Sequence, residues 1–217
     1  MRGYFITGTD TDVGKTRVTA AVASALRARG LRVCVVKPVQ TGVLADGEGD
    51  AARAARLARV PAYEFVRFRA AADPWSAALS AGVEPPSAGE LAARIARCCS
   101  VPVVEGAGGI AVPLNASESL GDLAASAMLA TILVVGLRLG CLSHALLSFD
   151  YLRGHSVELA GVVLVDRWPS IPAGGGDYVR DVERTLAPHA TILGHMPYDE
   201  DEERSVRQLA SILESRL

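Results

Sequence analysis

The sequence predicts an α/β fold in which helices cover both faces of a doubly wound, mainly parallel sheet. Short apolar, β-rich runs alternate with Ala- and Arg-rich segments of helical spacing. Several runs are apolar without alternation, as expected of strands that are covered on both sides. The runs are Tyr4 to Thr7, Val33 to Val36, Val101 to Val104, Thr131 to Val135, Ala160 to Val165 and Thr191 to His195. In such a sheet, ligands bind beyond the carboxyl ends of the strands.

The composition indicates one domain, residues 1–217, with a small-molecule partner. The formal net charge is −2 at pH 7, and no run of like charges forms the basic stripe that nucleic acid or an anionic membrane would need. The longest uncharged segment, Leu123 to Leu137, is shorter than the roughly 18 residues that span a bilayer. The linker-like piece Pro169 to Gly176 is too short to join independent domains. We see no signal-peptide pattern and expect a cytoplasmic protein.

The four cysteines predict neither a metal site nor a disulfide. They are Cys34, Cys98, Cys99 and Cys141. Their spacing does not fit a metal site, and structural disulfides are rare in a reducing cytoplasm. The adjacent Cys98 and Cys99 are interpreted as a buried or half-buried pair at the end of a helix.

The stretch GTDTDVGKT, Gly8 to Thr16, predicts a phosphate loop and places the sheet in the P-loop NTPase class. It lies between the first apolar run and an amphipathic helix that we predict from Lys15 to Arg29. Its lysine stands out because the chain has only two, Lys15 and Lys37, among 22 basic residues. A chain that uses arginine elsewhere indicates a need for lysine chemistry at these two places.

Backbone N–H groups of such a loop bind phosphate oxygens at the positive end of the helix. Lys15 would reach the terminal phosphates, and the hydroxyl of Thr16 would bind magnesium. The spacing departs from the usual form, because Thr9 stands where the first glycine is expected. The alternative is a polar turn with a capping threonine. The nucleotide-binding residues predicted here are Asp12, Val13, Gly14, Lys15 and Thr16.

Three further charged residues lie at strand ends or at the start of a helix. Lys37, in VVKPVQTG, ends the second strand and is expected to face the phosphate loop, the alternative being a solvated turn. Asp50 begins the next helix, where a helix N-cap is the alternative role. Glu105, in VPVVEGAGG, ends a buried strand. Glu105 is expected to bind magnesium directly or through a water molecule. The alternative is that Glu105 is a buried acid in an ion pair that stabilises the fold.

Four motifs together resemble the dethiobiotin synthetase family: GTDTDVGKT, KPVQTG, VVEGAGG and VVGLRLGCLSHALL, in this order. The resemblance runs from residue 4 to about residue 165, and beyond it only GHMPYD aligns. It implies an ATP-dependent ring closure of 7,8-diaminononanoate with carbon dioxide, supplied as bicarbonate, to give dethiobiotin, ADP and phosphate. A carbamate and a carbamic-phosphoric anhydride are the implied intermediates.

The resemblance also implies roles for individual residues. Thr16, Asp50 and Glu105 would arrange the magnesium. Lys37 would face the carbamate and act in catalysis with Lys15 and Thr11. The diamine and carbamate pocket would be lined by Thr11 and Thr41.

The family further implies a homodimer with shared active sites. In LGCLSHALL a helix begins after a long apolar strand, and its first N–H groups have no intrahelical partner. The resemblance implies that they hold the substrate carboxylate at the phosphate loop of the other subunit, whereas an ordinary capped helix is the alternative. The residues concerned are Gly140, Cys141, Leu142 and Ser143.

The base side of the nucleotide site departs from the family pattern. Val165 stands where an asparagine is expected, so a strong adenine preference is not expected. Asp166 and the backbone around Pro197 are the remaining candidates for base contacts, and for Asp166 a turn or cap role is the alternative.

The same superfamily offers one alternative function, and the same fold offers a second. A cobyrinic acid amide synthase would carry a glutaminase domain, which the chain is too short to contain. A partitioning-type ATPase switch has the same fold, but such proteins usually carry a lysine early in the loop, where Asp10 stands here. The membrane-binding type also ends in a basic amphipathic helix, and the segment predicted as helical from Glu202 to Leu217 is not of that kind.

Overall fold

A computed structural model describes residues 3–167 and 176–217. The strands are β1 (Tyr4–Gly8), β2 (Val33–Gln40), β3 (Ala62–Arg67), β4 (Val101–Gly109), β5 (Ala130–Gly136), β6 (Leu159–Val165) and β7 (Ile192–Met196). The helices are α1 (Lys15–Ala28), α2 (Asp50–Ala58), α3 (Pro74–Ser80), α4 (Ala88–Ile95), α5 (Leu120–Ser126), α6 (Cys141–Gly154), α7 (Gly176–Leu186) and α8 (Glu202–Leu213). Of the predicted linker-like piece, residues 169–175 lie outside the described residues.

The strands form one sheet in the order β3-β2-β4-β1-β5-β6-β7, and every pairing is parallel. This confirms the predicted fold class and all six predicted strands. A seventh strand, β3, was not predicted. It lies at the edge of the sheet, and its residues are exposed or half-buried, so it lacks the continuous apolar pattern that marks a central strand.

The core lies on both faces of the sheet, because successive residues of a strand point in opposite directions. Ile6 of β1 packs in a cluster with α1, α2 and α8, whereas its neighbour Phe5 packs in a cluster with α4 and α5. A third cluster joins β5 and β6 to α6 and α7. β1 is therefore buried on both sides, which holds the loop that follows it in a fixed place.

A disulfide joins Cys34 to Cys99, with the two Cα atoms 6.1 Å apart. The prediction of no disulfide was wrong. The reason is tertiary: β2 and β4 are neighbours, and Cys34 lies opposite Pro102 in their register, so Cys99 lies close beside it. Cys98 is a half-buried free thiol and Cys141 a buried one.

No helix within residues 3–167 and 176–217 is both long and apolar enough to cross a membrane.

Candidate active site

A cavity of about 590 Å³ opens at the carboxyl ends of β1, β2 and β4, where parallel strands of a doubly wound sheet place their ligands. It collects most of the side chains that the sequence singles out. Those among its lining are Thr11, Asp12, Gly14, Lys15, Thr16, Lys37, Thr41, Asp50 and Glu105. Thr11 and Glu105, which are 94 positions apart in the chain, thus share one space.

The phosphate loop follows β1 and ends at Gly14, which precedes the first turn of α1. Gly14 has φ 99°, and a Cβ there would lie 2.9 Å from Cγ1 of Val165. Both the backbone conformation and the close packing therefore require glycine. The side chain of Val13 is buried in the core, and Val13 is not among the residues that line the cavity.

Lys15 is buried, and its Nζ donates a hydrogen bond to the backbone O of Asp10 at 2.8 Å. Burial lowers the pKa of Lys15 to about 8, because desolvation disfavours the charged ammonium. Glu105 acts in the opposite direction and Lys37 adds to the lowering. The side chain of Asp10 is in turn paired with Arg138.

Lys37 lies near the end of β2 and is only 3% exposed. Its Nζ is 2.7 Å from Oδ2 of Asp50 and 3.0 Å from Oε1 of Glu105, and it donates to the backbone O of Gly106 at 3.0 Å. Burial alone would lower the pKa of Lys37, but the two carboxylates outweigh it and hold that pKa above its ordinary value. Lys37 is therefore a buried, charged group rather than the solvated turn of the alternative reading.

Glu105 is 1% exposed, and its two carboxylate oxygens have different surroundings. Its Oε1 accepts hydrogen bonds from Thr16 Oγ1 at 3.1 Å and from Lys37 Nζ at 3.0 Å. Its Oε2 is buried and has no hydrogen-bond partner among the described residues. A buried carboxylate oxygen without a partner is costly, and this atom could meet a bound cation.

Asp50 occupies the first position of α2, and the residue before it, Gly49, is the N-cap. The alternative N-cap role for Asp50 is therefore wrong. Its backbone N–H donates to Oε1 of Gln40 at 2.8 Å, and Gln40 Nε2 donates to Asp50 Oδ2 at 3.3 Å. Burial raises the pKa of Asp50, but Lys37 outweighs it and the net pKa is below its ordinary value.

The residues predicted for the base side do not belong to the cavity lining that the structure describes. Val165 is buried against Gly14, and Pro197 is exposed. Asp166 is also buried, with its Oδ1 3.1 Å from Nε2 of His195 but without hydrogen-bond geometry. The structure thus gives Asp166 a neighbour on β7 that the turn or cap interpretation did not foresee.

The segment predicted to hold the substrate carboxylate lies at the start of α6, and its residues are not among those that line the cavity. Gly140 is the N-cap with φ 91° and has no side-chain cap. The N–H of Cys141 is already used, since it donates to the backbone O of Arg138 at 3.0 Å. Leu139 and Leu147 are large apolar residues on either side of this turn, and both are exposed.

The chain is similar in sequence to one protein-family model and to named ATP-dependent enzymes. A model of an AAA domain family matches residues 2–205. The ATP-dependent dethiobiotin synthetase of Anaeromyxobacter dehalogenans strain 2CP-C is 36% identical over 227 residues, covering 100% of this chain and 99% of that protein. The ATP-dependent dethiobiotin synthetase of Saccharopolyspora erythraea is 43% identical over 176 residues, covering 79% of this chain and 77% of that protein.

The chain belongs to the ATP-dependent dethiobiotin synthetase family. It is accordingly a ligase-type, ATP-dependent enzyme of the P-loop class. The resemblance drawn from four sequence motifs is confirmed, and relatives of this family match the chain across its whole length.

Similar solved structures support the fold alone. The cell division ATPase MinD of Pyrococcus furiosus superposes with a TM-score of 0.61 at 18% identity, covering 99% of each chain. A chain of the MinC:MinD cell division protein complex of Aquifex aeolicus gives a TM-score of 0.62 at 14% identity, covering 100% of this chain and 95% of that one. At such low identity the likeness does not favour the partitioning-type switch over a dethiobiotin synthetase.

The structure also adds five charged cavity-lining residues that the sequence analysis missed. They are Arg17, Arg53, Asp73, Arg167 and Glu202. Arg17 had a signal, because it directly follows the GKT of the phosphate loop. Glu202 had none, since it contacts Arg17 across 185 positions of sequence.

Proposed function

We propose that this chain catalyses the ATP- and magnesium-dependent carboxylation and ring closure of 7,8-diaminononanoate with carbon dioxide, giving dethiobiotin, ADP and phosphate. The observation that carries the proposal is the buried, charged Lys37, held by Asp50 and Glu105 beside the phosphate loop. Family membership supports ATP-dependent dethiobiotin synthesis in general. We treat residues 1–217 as one catalytic domain.

The reaction has three bond-forming steps. One substrate amine attacks the carbon of carbon dioxide and loses a proton, which leaves a carbamate. An oxygen of the carbamate attacks the γ-phosphorus of ATP and releases ADP, forming a carbamic-phosphoric anhydride. The second amine then attacks the activated carbonyl carbon, expels phosphate and closes the cyclic urea. No step requires a side-chain nucleophile.

The enzyme therefore has to align two anions and offset the charge that develops on the transferring phosphoryl group. Lys15 is suited to the terminal phosphates and Lys37 to the carbamate, because each is a buried cation at the cavity. Lysine fits these places as a compact point charge, whereas an arginine fork would be bulkier and differently directed. Thr11 and Thr41 line the same cavity and are proposed to contact the diamine and the carbamate.

The donor set beside Lys37 fits magnesium. Thr16 offers a hydroxyl, and Asp50 and Glu105 offer carboxylates, which are the hard oxygen donors that this ion prefers. The partnerless Oε2 of Glu105 supports the assignment, since a cation would satisfy it. Bound there, magnesium would offset negative charge on the phosphate oxygens during transfer.

We further propose that two copies of the chain share their active sites. Gly140 to Ser143, at the start of α6, do not line the cavity of their own subunit, and Leu139 before them and Leu147 further along α6 expose apolar surface. In a homodimer this turn would reach the cavity of the other subunit, where the remaining N–H groups would bind the substrate carboxylate.

The nucleotide base is proposed to lie beyond Gly14, beside Val165, Asp166 and Pro197. Val165 packs on Gly14 and offers no side-chain hydrogen bond. Asp166 and the backbone at Pro197 are then the groups available to the base.

Release of phosphate, measured while each substrate is omitted in turn, tests the proposed function. We expect release to need ATP, the diamine, bicarbonate and magnesium together, with dethiobiotin formed in equal amount. Release that is independent of the diamine, and that instead responds to a macromolecular partner, would identify a switch ATPase and overturn the proposal.

A further inference from the structure

Three charged side chains form a bridge along the wall of the cavity. Arg17 Nε donates to Oε1 of Glu202 at 3.1 Å, and Arg53 Nε donates to Oε2 of Glu202 at 3.1 Å, with a second contact from Arg53 to Oε1. Arg17 Nη1 also donates to the backbone O of Asp199 at 3.0 Å. All three bridging residues line the cavity. We call Arg17, Glu202 and Arg53 the outer bridge.

The outer bridge connects helices that carry the proposed magnesium site. Arg17 directly follows Thr16 in the first turn of α1. Arg53 lies three positions after Asp50 on α2, which makes these two residues neighbours on the helix surface. Glu202 is the first residue of α8 and contacts both arginines. A single carboxylate therefore ties the first turns of three helices together.

A second, inner bridge joins the same two helices through the site itself. Thr16 Oγ1 donates to Glu105, Glu105 contacts Lys37, and Lys37 contacts Asp50, at 3.1, 3.0 and 2.7 Å respectively. In the proposed reaction these contacts rearrange, because the Thr16 hydroxyl is needed by magnesium and Lys37 by the carbamate. The outer bridge contains no residue of the inner bridge. Its hydrogen bonds can therefore persist while those of the inner bridge break.

The outer bridge is also more than an ordinary surface ion pair. Exposed pairs contribute little to stability, but the side chains of Arg17 and Glu202 are only 15% and 22% exposed. The Arg53–Glu202 contact uses both carboxylate oxygens, which restricts its geometry. Burial raises the pKa of Glu202, but Arg53 and Arg17 outweigh it and the net pKa is lowered, so the carboxylate stays charged near neutral pH.

We infer that Glu202 is a positioning residue that keeps Thr16 and Asp50 at the separation required for magnesium while Lys37 engages the substrate. The inference rests on the proposed function for its catalytic consequence. Its binding consequence, a selective effect on nucleotide affinity when magnesium is present, can be measured without turnover.

Glu202→Ala is the first test, with Glu203→Ala as the matched control. Glu203 is the next residue of the same helix turn, is well exposed and pairs only with Arg207 among the described residues. We expect Glu202→Ala to weaken ATP binding about tenfold in the presence of magnesium and less than about twofold in its absence, since a displaced ligand acts through the ion. Calorimetric titration measures both, and kcat should fall about tenfold as well.

Arg53→Ala is the second test, and its control is Arg56→Ala, which lies one turn later on α2 and pairs with Glu48 outside the cavity. Arg53 is 46% exposed, so this variant keeps the test available if Glu202→Ala fails to fold. The double variant of Glu202 and Arg53 should lose about as much affinity as Glu202→Ala alone, because residues that act as one unit are not additive.

Several results would overturn the inference. Equal loss of ATP affinity with and without magnesium would show that Glu202 contacts the nucleotide directly. Losses that multiply in the double variant would show two independent contacts, and a Glu202→Ala variant that behaves like Glu203→Ala would show no role. The proposed function fails separately, by the absence of diamine-dependent phosphate release in the unmodified chain.

Discussion

Lys37 Nζ lies 2.7 Å from Oδ2 of Asp50, and this ion pair joins the carboxyl end of β2 to the first turn of α2. It places a buried cation in the cavity that also holds the phosphate loop. A lysine suits this position in a chain that otherwise uses mainly arginine, because its single charged atom contacts Asp50, Glu105 and Gly106 at once.

Loss of Lys37 should impair the chemical step. We expect Lys37→Ala to lower turnover by about 100-fold or more, because the cation proposed to face the carbamate in the transition state is removed. ATP affinity should change much less. Steady-state kinetics beside an ATP titration measures both, with the exposed Arg32→Ala as control. Near-normal turnover would remove Lys37 from the mechanism.

ATP binding to the free enzyme should depend on pH near 8. The pKa of Lys15 is lowered to about 8 by burial, so its ammonium is charged below that pH and is progressively neutral above it. Phosphate favours the charged form, and affinity should therefore fall by up to about tenfold for each pH unit above 8. Titrations from pH 7 to 9.5 measure this, and Lys15→Arg, which stays charged, should show a flat profile. An unmodified enzyme with a flat profile would contradict the prediction.

The nucleoside triphosphate should be selected only weakly. Val165 cannot hydrogen-bond the adenine edge, so we expect ATP to be favoured over GTP or CTP by less than about tenfold in kcat/KM. Parallel kinetics with the three nucleotides test this. A preference of several hundredfold would instead show that Asp166 or the region of Tyr198 reads the base.

The disulfide should contribute to stability. Cys34 and Cys99 enclose a loop of 65 residues by sequence separation, and closing a loop of that size stabilises by up to about 4 kcal/mol in the chain-entropy model. We expect Cys34→Ser and Cys99→Ser to unfold at lower denaturant concentration than the oxidised parent, while Cys98→Ser, the matched control, should not. Equal unfolding midpoints for the oxidised parent and the two variants would show that the crosslink does not contribute.

Shared active sites predict complementation between inactive variants. Lys37→Ala removes the cation of one site, and Ser143→Asp places a like charge beside the substrate carboxylate of the other. Random reassociation makes about half of the dimers mixed, each with one intact site, so activity should return to about a quarter of the parent by two-fold symmetry. Each variant reassociated with itself is the control. Mixed dimers that form by mass measurement but stay inactive would contradict sharing.

The sequence by itself determined the fold class, the phosphate loop and the family. These follow from local patterns: apolar runs with a period that identifies strands, and the motif that places Lys15 and Thr16 between a strand and a helix. The rule that ligands lie at the carboxyl ends of parallel strands also predicts that Lys37 and Glu105 lie at one site. Both residues line the same cavity.

The tertiary structure alone decided which distant residues meet. It paired Cys34 with Cys99, gave Asp50 the partners Lys37 and Gln40 instead of an N-cap role, and brought Glu202 to Arg17. It also added the edge strand β3, which the apolar pattern does not mark. Sequence spacing does not reveal such contacts, because they depend on strand order and helix packing, which bring residues of large separation together only after the sheet has formed.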